Sequence, residues 1–293
     1  MEYTIENDFL RVRIQSKGAE MCSVVKKETG EEMLWQADPA VWNRHAPILF
    51  PYCGRLKDGR FTHKGVAYEG GQHGFARDME HTLTEQGTDC LTLCLEANAL
   101  TMEKYPFAFK LLSTYRLSGE TLHHTVRVAN DGDEDMPFGF GYHPGFLCPF
   151  DDRHPISDYV LRFDTPESPV VIETGEDDGL VTGETRVFFQ NETDIPLSDG
   201  MFDHDSTCFS RLRSKTFSVV EKSSGRRVSV NIEGFPYVLM WSAKGPVRYV
   251  CIEPWHGLPD ARTATGVWTE KPDTVHLAPG QSWSCDLAMT FAR

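Results

Sequence analysis

Alternation of apolar and polar side chains with a period of two constrains this chain more than any other feature. In "FLRVRIQ" (9–15), Leu10, Val12 and Ile14 alternate with arginines and a glutamine, and "CLTLCLEA", "RVSVNI" and "TLHHTVRVAN" behave similarly. Turn signals such as "KETGEE", "KDGRF", "LSGET" and "NDGDED" separate these runs. Many short strands at fairly regular spacing predict an all-β protein, an antiparallel sandwich or barrel.

Helical pattern is scarce in the same sequence. Residues 39–44 and 99–106 are each expected to form a helical turn or two. No glycine-rich loop opens a helix, which argues against a Rossmann or P-loop nucleotide site. The irregular segment 149–200 is interpreted as long loops and edge strands, and no linker is evident. We therefore predict a single domain over residues 1–293.

Net charge limits the classes of partner, and the N-terminal residues and the hydropathy of the chain bear on its location. The chain has 29 Lys and Arg against 43 Asp and Glu, a net charge of −14. Nucleic acids and anionic membranes reward clustered basic residues, so neither is expected as a partner. The first residues, "MEYTIENDFLRVRI", do not resemble a signal peptide, and no apolar run is long enough to span a membrane. A cytoplasmic protein is expected.

Eight cysteines are scattered along the chain without a CxxC pair. Zinc sites usually show tighter, repeated spacings, and the histidines form no HxH or HExxH motif. Free thiols in a reducing compartment are the simplest interpretation. The sequence therefore predicts no metal centre.

Four stretches depart from the strand rhythm and combine Gly or Pro with His, Arg or Glu and with aromatics. They are "HAPILFPYCGRLKDGRF" (45–61), "GGQHGFARD" (70–78), "FGFGYHPGF" (138–146) and "YVCIEPWHGLPD" (249–260). Gly and Pro shape irregular backbone that can present a side chain at a strand end. Aromatic faces beside hydrogen-bonding groups suit a sugar, whose ring packs on the aromatics while its hydroxyls are matched.

Each of these residues also has a purely structural interpretation. A histidine at a strand end is often structural, and Arg55 could pair with Asp58 or Asp78 to hold a turn. Glu253 ends an apolar "YVCI" run, where an unpaired carboxylate is costly to bury. Either a function or a salt bridge with Arg55 or Arg77 would explain it.

Taken in order, these stretches resemble the aldose 1-epimerase (galactose mutarotase) family, in particular its LacX-type bacterial branch. The resemblance runs from "YTIENDFLRVRI" through "FPYCGRLKDGRF", "GQHGFARD", "GYHPGF", "FDHDSTCF" and "GFPYVLMWS" to "CIEPWHGLPD" and "LAPGQSW". It implies a large antiparallel β-sandwich. It also implies an isomerase without cofactors that interconverts the α and β anomers of a sugar.

The resemblance assigns roles to individual residues. Glu253 matches the family's general base and His143 its general acid. Arg55 and His73 match the pair that grips the sugar. An aspartate that holds sugar hydroxyls matches Asp203, with Asp205 as an open alternative in the same motif.

Several neighbours complete the expected site. Arg77 or Arg55 would anchor carboxylates, and Phe75, Trp241 and Trp255 are candidates for an apolar wall. The charge of Glu253 is expected to help keep the nearby imidazole protonated.

The sequence departs from the better-known galactose mutarotases in the residues that shape the pocket. Gly54 precedes the arginine where those proteins carry Asn, Phe75 stands where they carry a second Gly, and "PGF" follows His143. Galactose is therefore not implied as the substrate, and monomer or homodimer stays open. The alternatives are a carbohydrate-binding protein without turnover, or a mutarotase for a sugar phosphate held by Lys57, Arg60 or Arg77.

Overall fold

The predicted alternation produces strands along almost the whole chain. The structure is a computed structural model that describes residues 1–292. The strands of the first half are β1 (Glu2–Glu6), β2 (Leu10–Gln15), β3 (Met21–Lys26), β4 (Ile48–Leu49), β5 (Arg60–His63), β6 (Val66–Glu69), β7 (Thr82–Gln86), β8 (Cys90–Glu96), β9 (Phe109–Ser118), β10 (Thr121–Asn130), β11 (Met136–Phe138), β12 (Phe140–Tyr142) and β13 (Gly145–Leu147). Those of the second half are β14 (Tyr159–Glu167), β15 (Val170–Thr174), β16 (Val181–Val187), β17 (Glu192–Pro196), β18 (Thr207–Ser210), β19 (Thr216–Glu221), β20 (Arg227–Asn231), β21 (Tyr237–Trp241), β22 (Tyr249–His256), β23 (Val275–Leu277) and β24 (Ser282–Ala292).

Two large antiparallel sheets dominate the architecture. One has nine strands in the order β17-β14-β19-β20-β24-β10-β9-β8-β7. The other has eight, β16-β15-β18-β21-β22-β12-β4, with β13 also pairing with β22. A three-stranded sheet β1-β2-β3 and two hairpin-sized sheets, β11-β23 and β5-β6, complete the fold. The all-β, large antiparallel β-sandwich expected from the sequence is confirmed.

One extended apolar core takes side chains from both large sheets. In β10, Leu122, Val126 and Val128 are fully buried, and in β22 Val250 and Ile252 belong to the same cluster. Because side chains alternate across a strand, the residues between them on β22 face the other side of the eight-stranded sheet. That outer face carries the candidate site.

Each of the two segments expected to form a helical turn or two contains a single turn. Within 99–106, one helical turn forms at Ala99–Met102, begun by an Asn98 cap that accepts from the backbone of Leu100 and Thr101. Within 39–44 one hydrogen-bonded turn forms, in which the N–H groups of Val41 and Trp42 donate to the Asp38 carbonyl at 2.9 Å. Short 3-10 turns occur at Lys57–Gly59, Ala76–Asp78, Ile156–Asp158 and Trp268–Glu270.

The irregular segment 149–200 supplies strands at the sheet edges, as expected. β17 is an edge of the nine-stranded sheet, and β16 is an edge of the eight-stranded sheet. Among the helices of residues 1–292, none has the length and apolar character needed to cross a membrane.

Candidate active site

The outer face of the eight-stranded sheet forms the floor of a cavity of about 350 Å³. Glu253 lies near the middle of β22, paired with Leu239 of β21, and the residue is 1% exposed. Trp255 follows on the same face of the strand. The loops before β5 and before β7 and the segment around β15 and β18 supply the walls.

The cavity brings together most of the residues singled out in the sequence. Although they span 201 positions of the chain, the lining includes Arg55, His73, Arg77, His143, Trp241, Glu253 and Trp255. Four other candidates do not line it: Phe75, Asp203, Lys57 and Arg60. Phe75 is buried in the core between Phe50 and Phe109, so its assignment to the apolar wall was wrong.

The open choice between two aspartates is narrowed by geometry. Asp205 lines the cavity, at a left-handed φ of 76°, and its charge contributes to raising the pKa of Glu253. The Oδ1 of Asp203 instead accepts a hydrogen bond from the backbone N–H of Gly245 at 2.8 Å. Asp203 therefore bonds to the neighbouring loop, and of the two aspartates only Asp205 lines the cavity.

His143 and Glu253 form a buried pair at the base of the cavity. The Nε2 of His143 lies 3.2 Å from Oε2 of Glu253, and the two side chains are 9% and 2% exposed. Glu253 thus has an imidazole as its partner, and not Arg55 or Arg77. Strand β12 ends at Tyr142, which places His143 directly beside β22.

Burial sets the protonation of this pair. It lowers the pKa of His143 to about 3 and raises the pKa of Glu253 well above its usual value. Removing either charged form from water is costly, and the low exposure of both groups makes burial the dominant influence. When the pair holds one proton, the uncharged form with the proton on Glu253 is favoured. This differs from the expectation that the carboxylate keeps the imidazole charged.

His73 is held in one defined tautomer. Its Nδ1 accepts a hydrogen bond from the N–H of Gly54 at 3.0 Å, and its own backbone N–H donates to the Gly54 carbonyl at 2.8 Å. Burial is the main cause that lowers the pKa of His73 well below its ordinary value. The ring is therefore neutral, with its remaining proton on Nε2. It can donate one hydrogen bond from Nε2 to a ligand.

The glycines around His73 answer a steric requirement. His73 has a φ of 67° and Gly74 a φ of 68°, and a side chain at Gly74 would collide with the carbonyl of Phe50. Gly54 has a φ of 69°, and a side chain there would meet the ring of Pro259. The close approach of these loops brings the imidazole of His73 next to the Trp255 ring, with centroids 5.5 Å apart.

Two arginines line the cavity in different ways. Arg77 is partly buried, which lowers its pKa to about 10, and its Nη2 donates to the Gln72 carbonyl at 2.6 Å. It therefore fixes the loop that carries His73. Arg55 is exposed, and within residues 1–292 its guanidinium has no ion-pair or hydrogen-bond partner. Arg55 pairs with neither Asp58 nor Asp78, so it does not hold a turn in that way. Its guanidinium is free to meet a ligand.

The aromatic wall includes a residue that the sequence analysis missed. Trp42 stacks on His143, with centroids 5.0 Å apart, and meets Trp241 edge-on at 5.4 Å. It lies in the segment that was expected to be helical. Nothing in the spacing of "PAVWNR" ties Trp42 to His143.

The same region holds a set of potential metal ligands. One donor atom from each of His143, Cys251 and Glu253 lies within 4.8 Å of the others, and all three residues are buried. The cavity thus combines two proton-transfer groups, a hydrogen-bond donor, a free guanidinium, a carboxylate and aromatic faces. Such a set can bind a small polyhydroxylated ring and move protons on it.

Comparison with known proteins gives consistent matches over the full length. The model of the family described as aldose 1-epimerase matches residues 1–290. The plasmid-encoded protein LacX of Lactococcus lactis subsp. lactis is 30% identical over 286 residues, 95% of each chain.

Solved structures match to the same extent. A galactose mutarotase related enzyme from Lactobacillus acidophilus superposes with a TM-score of 0.95 at 35% identity, covering 100% of this chain and 98% of the other. A galactose mutarotase-like protein from Lactobacillus casei gives a TM-score of 0.90 at 28% identity, with 99% of each chain covered.

Proposed function

The chain belongs to the aldose 1-epimerase family, and we propose that it is a mutarotase that interconverts the α and β anomers of an aldose. The observation that carries this proposal is the buried His143–Glu253 contact of 3.2 Å at the floor of a sugar-sized cavity. Binding alone needs no acid–base pair, whereas opening a hemiacetal needs one group to give a proton and one to take it.

The reaction can be written with one proton on the pair. His143 donates that proton to the ring oxygen of the sugar while Glu253 takes the proton of the C1 hydroxyl. The bond from C1 to the ring oxygen breaks, and C1 becomes an aldehyde. After rotation about C1–C2, the former ring oxygen attacks the other face of C1. Glu253 then protonates the C1 oxygen, and His143 recovers the proton of the attacking hydroxyl.

Proton counting links this scheme to the burial of the pair. During the open-chain stage the proton sits on Glu253 and His143 is neutral, which is the uncharged form that burial favours. The site therefore suits the intermediate better than the charged starting form of the pair. The 3.2 Å contact gives the proton a direct path between the two groups. Proton transfer alone completes the reaction, and no cofactor is required.

The remaining lining residues are proposed to hold the sugar. The Nε2–H of His73 and the free guanidinium of Arg55 would donate to hydroxyl oxygens, and Asp205 would accept from hydroxyl groups. Trp42 and Trp255 offer faces for the apolar side of the ring. Arg77 would act through the loop that carries His73.

A panel of freshly dissolved aldoses and hexose 6-phosphates, followed by polarimetry, tests the proposal. We expect faster approach to anomeric equilibrium with at least one unphosphorylated aldose. Acceleration confined to the phosphates would assign the protein to a sugar phosphate. Sugar binding by calorimetry without acceleration of any panel member would instead indicate a carbohydrate-binding protein.

The cellular setting is also proposed. We infer that residues 1–293 act as one domain, in the cytoplasm, as a monomer or homodimer, with a small sugar as the partner and neither nucleic acid nor membrane. Size-exclusion chromatography with light scattering, together with cell fractionation, would test these assignments.

A further inference from the structure

We propose that a zinc ion binds between His143, Cys251 and Glu253, the first and last of which line the cavity, and that zinc and sugar exclude each other. The exclusion, though not the binding, rests on the proposed function. The ion is an inhibitor in this scheme and supplies no catalytic step.

The geometry of the three donors suits zinc. Bond lengths of about 2.0–2.3 Å in a tetrahedral site place neighbouring donors about 3.3–3.7 Å apart. His143 Nε2 and Glu253 Oε2 already lie 3.2 Å apart, and all three donor atoms fall within 4.8 Å. Small rotations of the side chains would close the set. Imidazole, thiolate and carboxylate are also the three ligand types that zinc takes in proteins.

The charges of the cluster, and the lack of hydrogen-bond partners at two of its side chains, favour a divalent ion. One thiolate and one carboxylate together neutralise a 2+ charge, so the buried complex would carry no net charge. The Nδ1 of His143 has no hydrogen-bond partner, so the ring can turn its Nε2 toward the ion without breaking a hydrogen bond at Nδ1. Within residues 1–292, the thiol of Cys251 has no hydrogen-bond partner either. Metal binding would therefore break no bond of the thiol.

Mutual exclusion follows from the shared atoms. The ion would occupy the imidazole nitrogen and the carboxylate oxygen that the proposed reaction uses for proton transfer. Three protein ligands leave a fourth position for water on the cavity side. A sugar whose C1 approaches His143 and Glu253 would have to displace the ion.

The chain supplies a matched control thiol. Cys208 is buried, as Cys251 is, and lines the cavity, but it is not part of the three-donor cluster. Cys208→Ala removes a thiol from the cavity and leaves the cluster intact, whereas Cys251→Ala removes a ligand. Cys251→Ser keeps the side-chain size and supplies a much poorer zinc ligand, which covers the case in which the alanine variant fails to fold.

Binding is tested on the whole protein by calorimetry with Zn²⁺ and by absorbance with Co²⁺, whose thiolate bond gives a charge-transfer band. Loss of outer-shell partners alone costs about 10–100-fold in metal affinity. We therefore expect Zn²⁺ affinity to fall by at least about tenfold in Cys251→Ala or Cys251→Ser and the Co²⁺ band to disappear. Both signals should persist in Cys208→Ala. Equal zinc affinity in the wild type and the Cys251 variants would overturn the site.

Inhibition is a separate measurement. Zn²⁺ should slow anomer exchange in the wild type and a chelator should restore it, while Mg²⁺, which prefers oxygen ligands, should have no effect. Exchange unaffected by bound zinc would refute the exclusion and leave the mutarotase proposal standing. Zinc binding that depends on Cys251, in a protein that never accelerates exchange, would support the zinc site and overturn the mutarotase proposal.

Discussion

Two buried histidines on different sheets show what separates a core residue from a candidate catalytic one. His124 lies in β10 of the nine-stranded sheet, 3% exposed and stacked on Tyr115 with centroids 3.9 Å apart. His143 follows β12 of the eight-stranded sheet, 8% exposed and stacked on Trp42. Burial lowers the pKa of each to about 3. By burial, stacking and acidity alone the two imidazoles are alike.

The difference lies in partner and access. His143 faces a carboxylate at 3.2 Å and lines an open cavity, whereas His124 has an unpartnered Nε2 within the protein interior. A shifted pKa reports burial in both places. Proton-transfer chemistry is feasible at His143 because Glu253 can carry the same proton and the cavity has room for a substrate.

The largest expected effect comes from breaking the partnership at His143. Glu253→Gln keeps the shape but removes the proton acceptor, so kcat for anomer exchange should fall by about 10²–10⁴-fold with a much smaller change in KM. His143→Asn should behave similarly. Polarimetry or NMR exchange spectroscopy at saturating sugar measures both.

The double variant provides the control. If the two groups act as one unit, the combined loss should be far smaller than the product of the single losses. Near wild-type exchange in folded Glu253→Gln protein would remove Glu253 from the reaction and favour a carbohydrate-binding protein.

A smaller effect should appear in the pH dependence of kcat. The reaction needs one proton on the pair. A second proton binds only as pH falls to about 3, and the last proton leaves only above the raised pKa of Glu253. Turnover should therefore stay level as pH falls through 6.5, the ordinary value for histidine. It should decline on the alkaline side, well above the ordinary glutamate value of 4.5.

Buffer-catalysed exchange, measured without enzyme, must be subtracted at each pH. A decline centred near 6.5 on the acid side would mean that His143 titrates as an exposed imidazole does. The two histidines would then differ in pKa as well as in partner and access.

The fold was predictable because its signal is local. Alternation in "LRVRIQ" and "TLHHTVRVAN" reappears as β2 and β10, since one face of each strand is buried. The segment 39–44 shows the limit. It forms a single turn without a period of its own, so its sequence could not indicate that Trp42 contacts His143 and Trp241.

The site was predictable by residue type but not in its geometry. Glu253 stood out because a carboxylate ended an apolar strand, whereas its pairing with His143 depends on strands β12 and β22 meeting from 110 positions apart. The same limit explains the choice between Asp203 and Asp205. In that turn Asp205 adopts a φ of 76° and lines the cavity, whereas Asp203, two residues earlier, accepts a hydrogen bond from Gly245.

The smallest effect on turnover should come from His124→Phe, since that ring touches no cavity. We expect kcat to stay within about twofold of the wild type.

The main effect of His124→Phe should be on the pH dependence of stability. His124 is neutral in both states above pH 6.5, but below it the unfolded chain gains a proton that the buried ring accepts only near about 3. Each pH unit in that window then costs the wild type about 1.4 kcal/mol, a loss that the phenylalanine variant would not suffer. Urea unfolding at about pH 7 and about pH 5 should show the variant gaining about 2 kcal/mol relative to the wild type. An unchanged difference between the two proteins would mean that His124 is charged in the folded core, and that its burial does not resemble that of His143.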